Sequence, residues 1–178
     1  MVSILKTDKI QASHGSTIEI PSGHVLQAPG HVIQFATSTS NGSYIATTSA
    51  SLVASGTTVS ITPKFSNSII VLYYSASFTS LDNVATGGTA MKFYKSIAGG
   101  SYSVVTGMAS SAQAGFLEYN SNASSYNHSV GTMMVTDSPS TTSAVTYQLY
   151  ISRVGSSHSG AVQRDWGGTH FHAMEIAQ

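Results

Sequence analysis

Hydrophobic positions along the chain recur at a spacing of two, not at three and four. Short alternating runs separated by Gly, Ser, Asn and Pro fill most of the sequence. That periodicity predicts strands, because successive side chains of a strand leave opposite faces. No long apolar stripe with helical spacing and a capping residue occurs, so no helix is expected. "TTVSITP" puts Val59 and Ile61 on one face. "SIIVLYYSASF" (68–78) is apolar on both faces and reads as a central strand. "AMKFYKSI" sets Met91, Phe93 and Ile97 against Lys92 and Tyr94, and "IAGGSYSVV" reads as a hairpin turn with its return strand. "HSVGTMMV" pairs Val130 and Met134 on one face. "DSPS" (137–140) is a turn with Pro139 at a favoured position. "TTSAVTYQLYISR" is the cleanest alternation, with Val145, Tyr147, Leu149 and Ile151 on one face. "GSSHSG" (155–160) reads as a flexible loop, and "THFHAMEI" closes the chain as a last strand.

Eight or so strands at this spacing predict an all-β fold: a β-sandwich or jelly-roll head over residues 31–178. Residues 1–30 differ. "GSTIEIPSG" places Ile18 and Ile20 opposite Glu19, and a near-duplication follows, Gly23-His-Val-Leu-Gln27 and Gly30-His-Val-Ile-Gln34. So little apolar surface does not fold alone. Two readings stand: an extended arm that pairs with the same segment of other copies through Ile18, Ile20, Val25 and Leu26, or a loosely docked arm with a chance repeat.

Composition sharpens this. The 178 residues suffice for one sizeable core. Only 8% are charged and the formal net charge is zero, where about a quarter charged is typical. Polarity comes instead from about 50 Ser and Thr, which suit a pleated surface. So few charges serve a free monomer poorly and a subunit of an assembly well. No basic excess supports nucleic-acid binding, and no run is apolar enough to span a bilayer. There is no cysteine, which excludes disulfides, thiolate metal sites and cysteine nucleophiles.

The candidate chemistry is thin. Seven carboxylates are scattered without a close pair, and Asp82, Glu118 and Asp165 are the ones a glycan-cleaving groove would have to recruit. Nucleotide-binding and hydrolase motifs are absent. The sharpest chemical signal is His170-x-His172, whose imidazoles would share one strand face. One chain offers two ligands, whereas three chains about an axis would offer six. The alternative is a buried or interfacial strand whose histidines bond to backbone or water, as Met174 and Ile176 on the same face suggest. Trp166, in "QRDWGG", either plugs one end of the sandwich or joins Tyr102, Tyr119 and Tyr126 in a sugar-stacking surface. No cofactor is expected.

The stretches "ILKTDKIQ", "GSTIEIPSG", "APGHVIQ", "ITPKFSNSIIVLYYSAS", "DSPSTTSAVTYQLYISR" and the closing "MEIAQ" resemble small fibre-like and decoration virion proteins of tailed bacteriophages, especially cyanophages. The resemblance spans most of the chain and consists of strand-and-turn phrases, not catalytic motifs. It implies a trimeric, non-enzymatic β-protein on the virion surface, assembled in the host cytoplasm. Its expected partners are its own copies, a capsid or tail-hub protein and a host-surface polysaccharide. The expected role is a fibre head for host attachment; the alternatives are a capsid decoration protein and a glycan-cleaving fibre head.

Overall fold

The computed structural model describes residues 17, 21–22, 24, 28–38, 44–81, 87–108, 116–120, 127–155, 159–163 and 168–178, with backbone course alone at 79–81, 116–120 and 127–128. Every regular element among them is a strand. In chain order these are β1 (Val32–Thr37), β2 (Ile45–Thr47), β3 (Val53–Ile61), β4 (Ile69–Leu81), β5 (Gly87–Ile97), β6 (Ser103–Val104), β7 (Phe116–Asn120), β8 (Asn127–Asp137), β9 (Val145–Val154), β10 (Ser159–Val162) and β11 (His170–Ile176).

They form two sheets, an arrangement consistent with a β-sandwich. In sheet A, β4 is central. β8 runs along one side of it; β11 and then β10 share the other side, β1 pairs with β11, and β2 with β10. In sheet B, β9 lies between β3 and β5, and the far side of β5 takes β7 and β6. All these pairings are antiparallel.

The alternation sets the core. Ile70, Leu72, Tyr74, Ala76 and Phe78 of β4 face Met91 and Phe93 of β5 and Val145, Tyr147, Leu149 and Ile151 of β9 in one continuous cluster. At its centre the rings of Phe93 and Phe171 stack with centroids 5.0 Å apart, and Tyr74 stands edge-on to both. β8 needs a glycine where it crosses this cluster, since a Cβ on Gly131 would collide with the Phe78 ring. The β5–β6 hairpin turns through Ala98 and Gly99, both at positive φ, with Gly100 N–H donating to the Ile97 carbonyl at 2.9 Å. Positive φ at both central residues is what a type I′ turn requires.

Polar groups tie the sheets together. The Asp137 carboxylate, buried at the end of β8, accepts from Lys95 Nζ of β5 at 2.7 and 2.9 Å and from the Tyr147 hydroxyl of β9 at 2.9 Å. Glu175 of β11 is fully buried and accepts from the Lys64 and Phe65 backbone N–H groups and from the Ser68 hydroxyl. It thereby fixes the β3–β4 connection against the closing strand.

One expectation changes, and one that was open is narrowed. Residues 159 and 160, read as loop, begin β10. Here the sheets approach so closely that a Cβ on Gly160 would lie 2.8 Å from the Ser152 carbonyl oxygen, and Ala161 N–H donates to Thr89 Oγ1 of sheet B at 2.9 Å. Small residues are needed at that approach, and they resemble a linker. In β11, the face carrying His170, His172, Met174 and Ile176 is the outer one, while Phe171, Ala173 and Glu175 face inward.

Leu149 is fully buried in β9. Replacing it with alanine opens a cavity and lowers the unfolding free energy by about 2–5 kcal/mol in denaturant titration. Asp137→Ala leaves Lys95 and the Tyr147 hydroxyl facing a void, with an expected loss of about 3 kcal/mol or more. Asp137→Asn loses less because it still accepts from Tyr147.

Candidate functional site

Two outer faces remain when the core is accounted for, and their chemistry differs. On sheet B the outward positions of β5 and β9 carry Tyr94 and Tyr150. The Cα register pairs Tyr94 with Gln148 and Lys92 with Tyr150, which makes the two tyrosines diagonal neighbours. Their rings stack with centroids 4.0 Å apart. Tyr102, just beyond the β5–β6 turn, folds back to place its ring 6.0 Å from Tyr150 and is itself exposed. Burial, and then the neighbouring Tyr102 and Tyr94 phenols, raise the Tyr150 hydroxyl above its ordinary value. The Tyr150 phenol therefore stays a neutral hydrogen-bonding group beside this aromatic surface. Beside them Ser60 and Thr146 hydrogen-bond to one another at 2.9 Å across β3 and β9.

On sheet A the outward face belongs to β8, β4, β11 and β1. Phe35 faces Met174, Met174 faces Val71, and His172 faces Tyr73, which in turn faces Met134. Nothing among the described residues covers this face: Val130 is 74% exposed, Met134 65%, Phe35 57% and Val32 55%.

The histidine pair lies on that same face. His170 is exposed, and His172 is half-buried between Phe35, at 5.0 Å between ring centroids, and Tyr73, at 6.0 Å and nearly parallel. The two imidazoles are 5.8 Å apart. Among the described residues no group of three or more His, Cys, Asp or Glu is placed to hold a metal ion. His172 Nδ1 is shielded and has no hydrogen-bond partner among them. Desolvation, and secondarily the charge of His170, lower the His172 pKa.

Two further polar clusters are interior. Gln163, at positive φ after β10, donates from Nε2 to Thr57 Oγ1 at 2.8 Å and to the Tyr74 hydroxyl at 3.0 Å. Burial pushes the Tyr74 phenol up to about 12, against a smaller opposing effect of the Gln163 hydrogen bond. Tyr147 is raised still further, by burial and then by Asp137. Asp137 and Glu175 are thus committed to holding elements together.

Of the expected site residues, Tyr102, His170 and His172 are placed as above. Tyr119 lies on β7, opposite Gly88. Trp166, Tyr126, Ile18, Ile20, Val25 and Leu26 lie outside the described residues, as do Asp82 and Asp165. Tyr94 and Tyr150 were not singled out from sequence as a binding pair. Their outward parity was visible there, but not the pairing of their strands. No protein-family model matches this chain, and neither does any curated protein.

A depressed imidazole pKa has a thermodynamic sign. The folded protein takes up a proton at His172 at lower pH than the unfolded chain does, so this contribution to stability is present above 6.5, the ordinary value, and is lost as pH falls below it. Denaturant titrations between pH 8 and 5 are expected to show stability falling with pH, and His172→Phe to flatten that slope. Equal slopes for the two proteins would remove His172 as its source.

Proposed function

We propose that this chain is a non-enzymatic structural protein of a bacteriophage virion. It is a trimeric fibre head displayed on the particle, used for attachment to host-surface glycan. In this reading residues 31–178 form a jelly-roll-like head and residues 1–30 an attachment and trimerisation arm. The observation that carries the attachment role is the Tyr94–Tyr150–Tyr102 cluster on the outer face of sheet B. Sugar rings present C–H groups that stack on aromatic faces, and phenolic hydroxyls beside the faces supply donors and acceptors for sugar hydroxyls. A cluster of one exposed and two half-buried tyrosines, with hydroxyl side chains alongside, suits a neutral glycan better than a charged ligand. The low charge of the whole chain and its resemblance to fibre-like virion proteins support the same reading.

A capsid decoration protein is the second reading. The uncovered apolar face of sheet A favours it, because such a face suits a permanent protein contact. Immunogold labelling of intact particles separates the two, with label expected on fibres or the tail for the first and across the capsid for the second.

The glycan role is tested by calorimetric titration of the purified full chain with host surface polysaccharide. Binding is expected, and Tyr102→Ala and Tyr150→Ala should each weaken it at least tenfold while leaving the circular dichroism spectrum unchanged. No binding by the wild type, or equal binding by both variants, would overturn it.

A further inference from the structure

From the glycan-attachment reading, on which this rests, we infer that the tyrosine site on the outer face of sheet B has a second, polar subsite, the Ser60–Thr146 hydroxyl pair. The ligand is then a run of at least two sugar units, and one of them carries a free vicinal diol.

The strand register places the pair relative to the tyrosines. On β9 the side chains of Thr146, Gln148 and Tyr150 leave one face, and the core residues Tyr147 and Leu149 alternate with them. Thr146 stands opposite Ser60 of β3. Gln148 stands opposite Thr58 of β3 on one side and Tyr94 of β5 on the other. The aromatic rings and the hydroxyls are therefore two ends of one surface. It runs obliquely over three strands, from Tyr102 beyond the β5–β6 turn to Ser60 on β3. Ser60 is exposed, and Thr58 and Thr146 are half-buried.

Length sets the form of the ligand. Tyr150 and Thr146 are four residues apart, about 13 Å along an extended strand. One pyranose stacked on the tyrosine rings does not span that distance, whereas consecutive units do. The side chains between the two ends, Thr58 and Gln148, are polar and neutral. Among the described outward positions of β3, β9 and β5 the only Asp, Glu, Lys or Arg is Lys92, and it is buried. The whole path thus suits an uncharged, hydroxyl-rich chain.

Hydroxyl chemistry sets the selectivity. Ser60 Oγ and Thr146 Oγ1 hydrogen-bond to one another at 2.9 Å. That bond uses one of their two hydrogens and leaves a donor and several lone pairs for a ligand. Neighbouring equatorial hydroxyls of a pyranose stand at a similar separation. Each can meet one member of the pair, and the four oxygens then close a ring of hydrogen bonds. A sugar substituted on either hydroxyl loses that fit. A cross-strand Ser–Thr bond also helps to hold strands together, but a purely structural role gives no dependence on ligand length.

Calorimetric titration of the full chain with fragments of host surface polysaccharide, sized from single sugars upward, tests this. The wild type is expected to bind fragments of two or more units at least tenfold more tightly than the single sugar. Thr146→Val keeps the side-chain shape and removes the hydroxyl, and Ser60→Ala does the same at an exposed position. Each should abolish the gain with length and leave the single-sugar affinity and the circular dichroism spectrum unchanged, whereas Tyr150→Ala should weaken every length. A single sugar bound as tightly as the longer fragments overturns the inference. So does a gain with length that survives in either hydroxyl variant, and both results leave attachment through the tyrosines standing. A wild type that binds neither the fragments nor the intact polysaccharide overturns the attachment reading and this inference with it.

Discussion

A strand apolar on both faces needs both faces covered, and β4 imposes that constraint on the whole molecule. Its inward residues, Ile70, Leu72, Tyr74, Ala76 and Phe78, meet sheet B and define the core. Its outward residues include Ile69, Val71 and Tyr73, which are only half-buried. One two-layered fold has one interior. The flanking strands do not relieve the problem, because Met134, Met174 and Phe35 extend the apolar surface instead of capping it with charge.

Charge is used sparingly and internally. The two carboxylates with described side chains, Asp137 and Glu175, are both buried and both join elements that are distant in sequence. Asp137 links β8 of one sheet to β5 and β9 of the other. Glu175 holds the β3–β4 connection to the closing strand through two backbone N–H groups. A buried ion pair is a weak source of net stability, since desolvation consumes much of its Coulomb energy. Its value here is register: neither carboxylate can move without stranding its partners.

The alternation in "SIIVLYYSASF" and "TTSAVTYQLYISR" sufficed for β4, β9 and their inward residues, because a half-buried or fully buried strand writes its environment into every second position. "IAGGSYSVV" showed the hairpin turn through its glycine pair, with Gly99 at positive φ, whereas Ala98 takes a positive φ that its side chain does not announce. The short strand β10 was hidden for the opposite reason, as Gly160 and Ala161 are small to let the sheets approach. The tyrosine cluster was half legible. Parity put Tyr94 on an outer face, but whether Tyr150 would lie beside it depends on β5 pairing with β9, which joins residues some fifty positions apart. The orientation of "HFHAMEI" was left open between a buried and an interfacial strand, because both of its faces are apolar enough to be covered. The buried Glu175, not the hydrophobic count, marks the inward side.

The two outer faces differ in a way that a single free domain does not require. Sheet A offers aliphatic and thioether groups, which gain from exclusion of water and specify little. Sheet B offers tyrosines, whose rings and hydroxyls in the proposed reading would suit a ligand that is itself part apolar and part hydroxylated. A monomer with a binding face would gain solubility from charge on its other side, and among the described residues the outward side chains of β8, β4, β11 and β1 include no Asp, Glu, Lys or Arg. The absence of charge there costs a monomer solubility and costs an assembled subunit nothing.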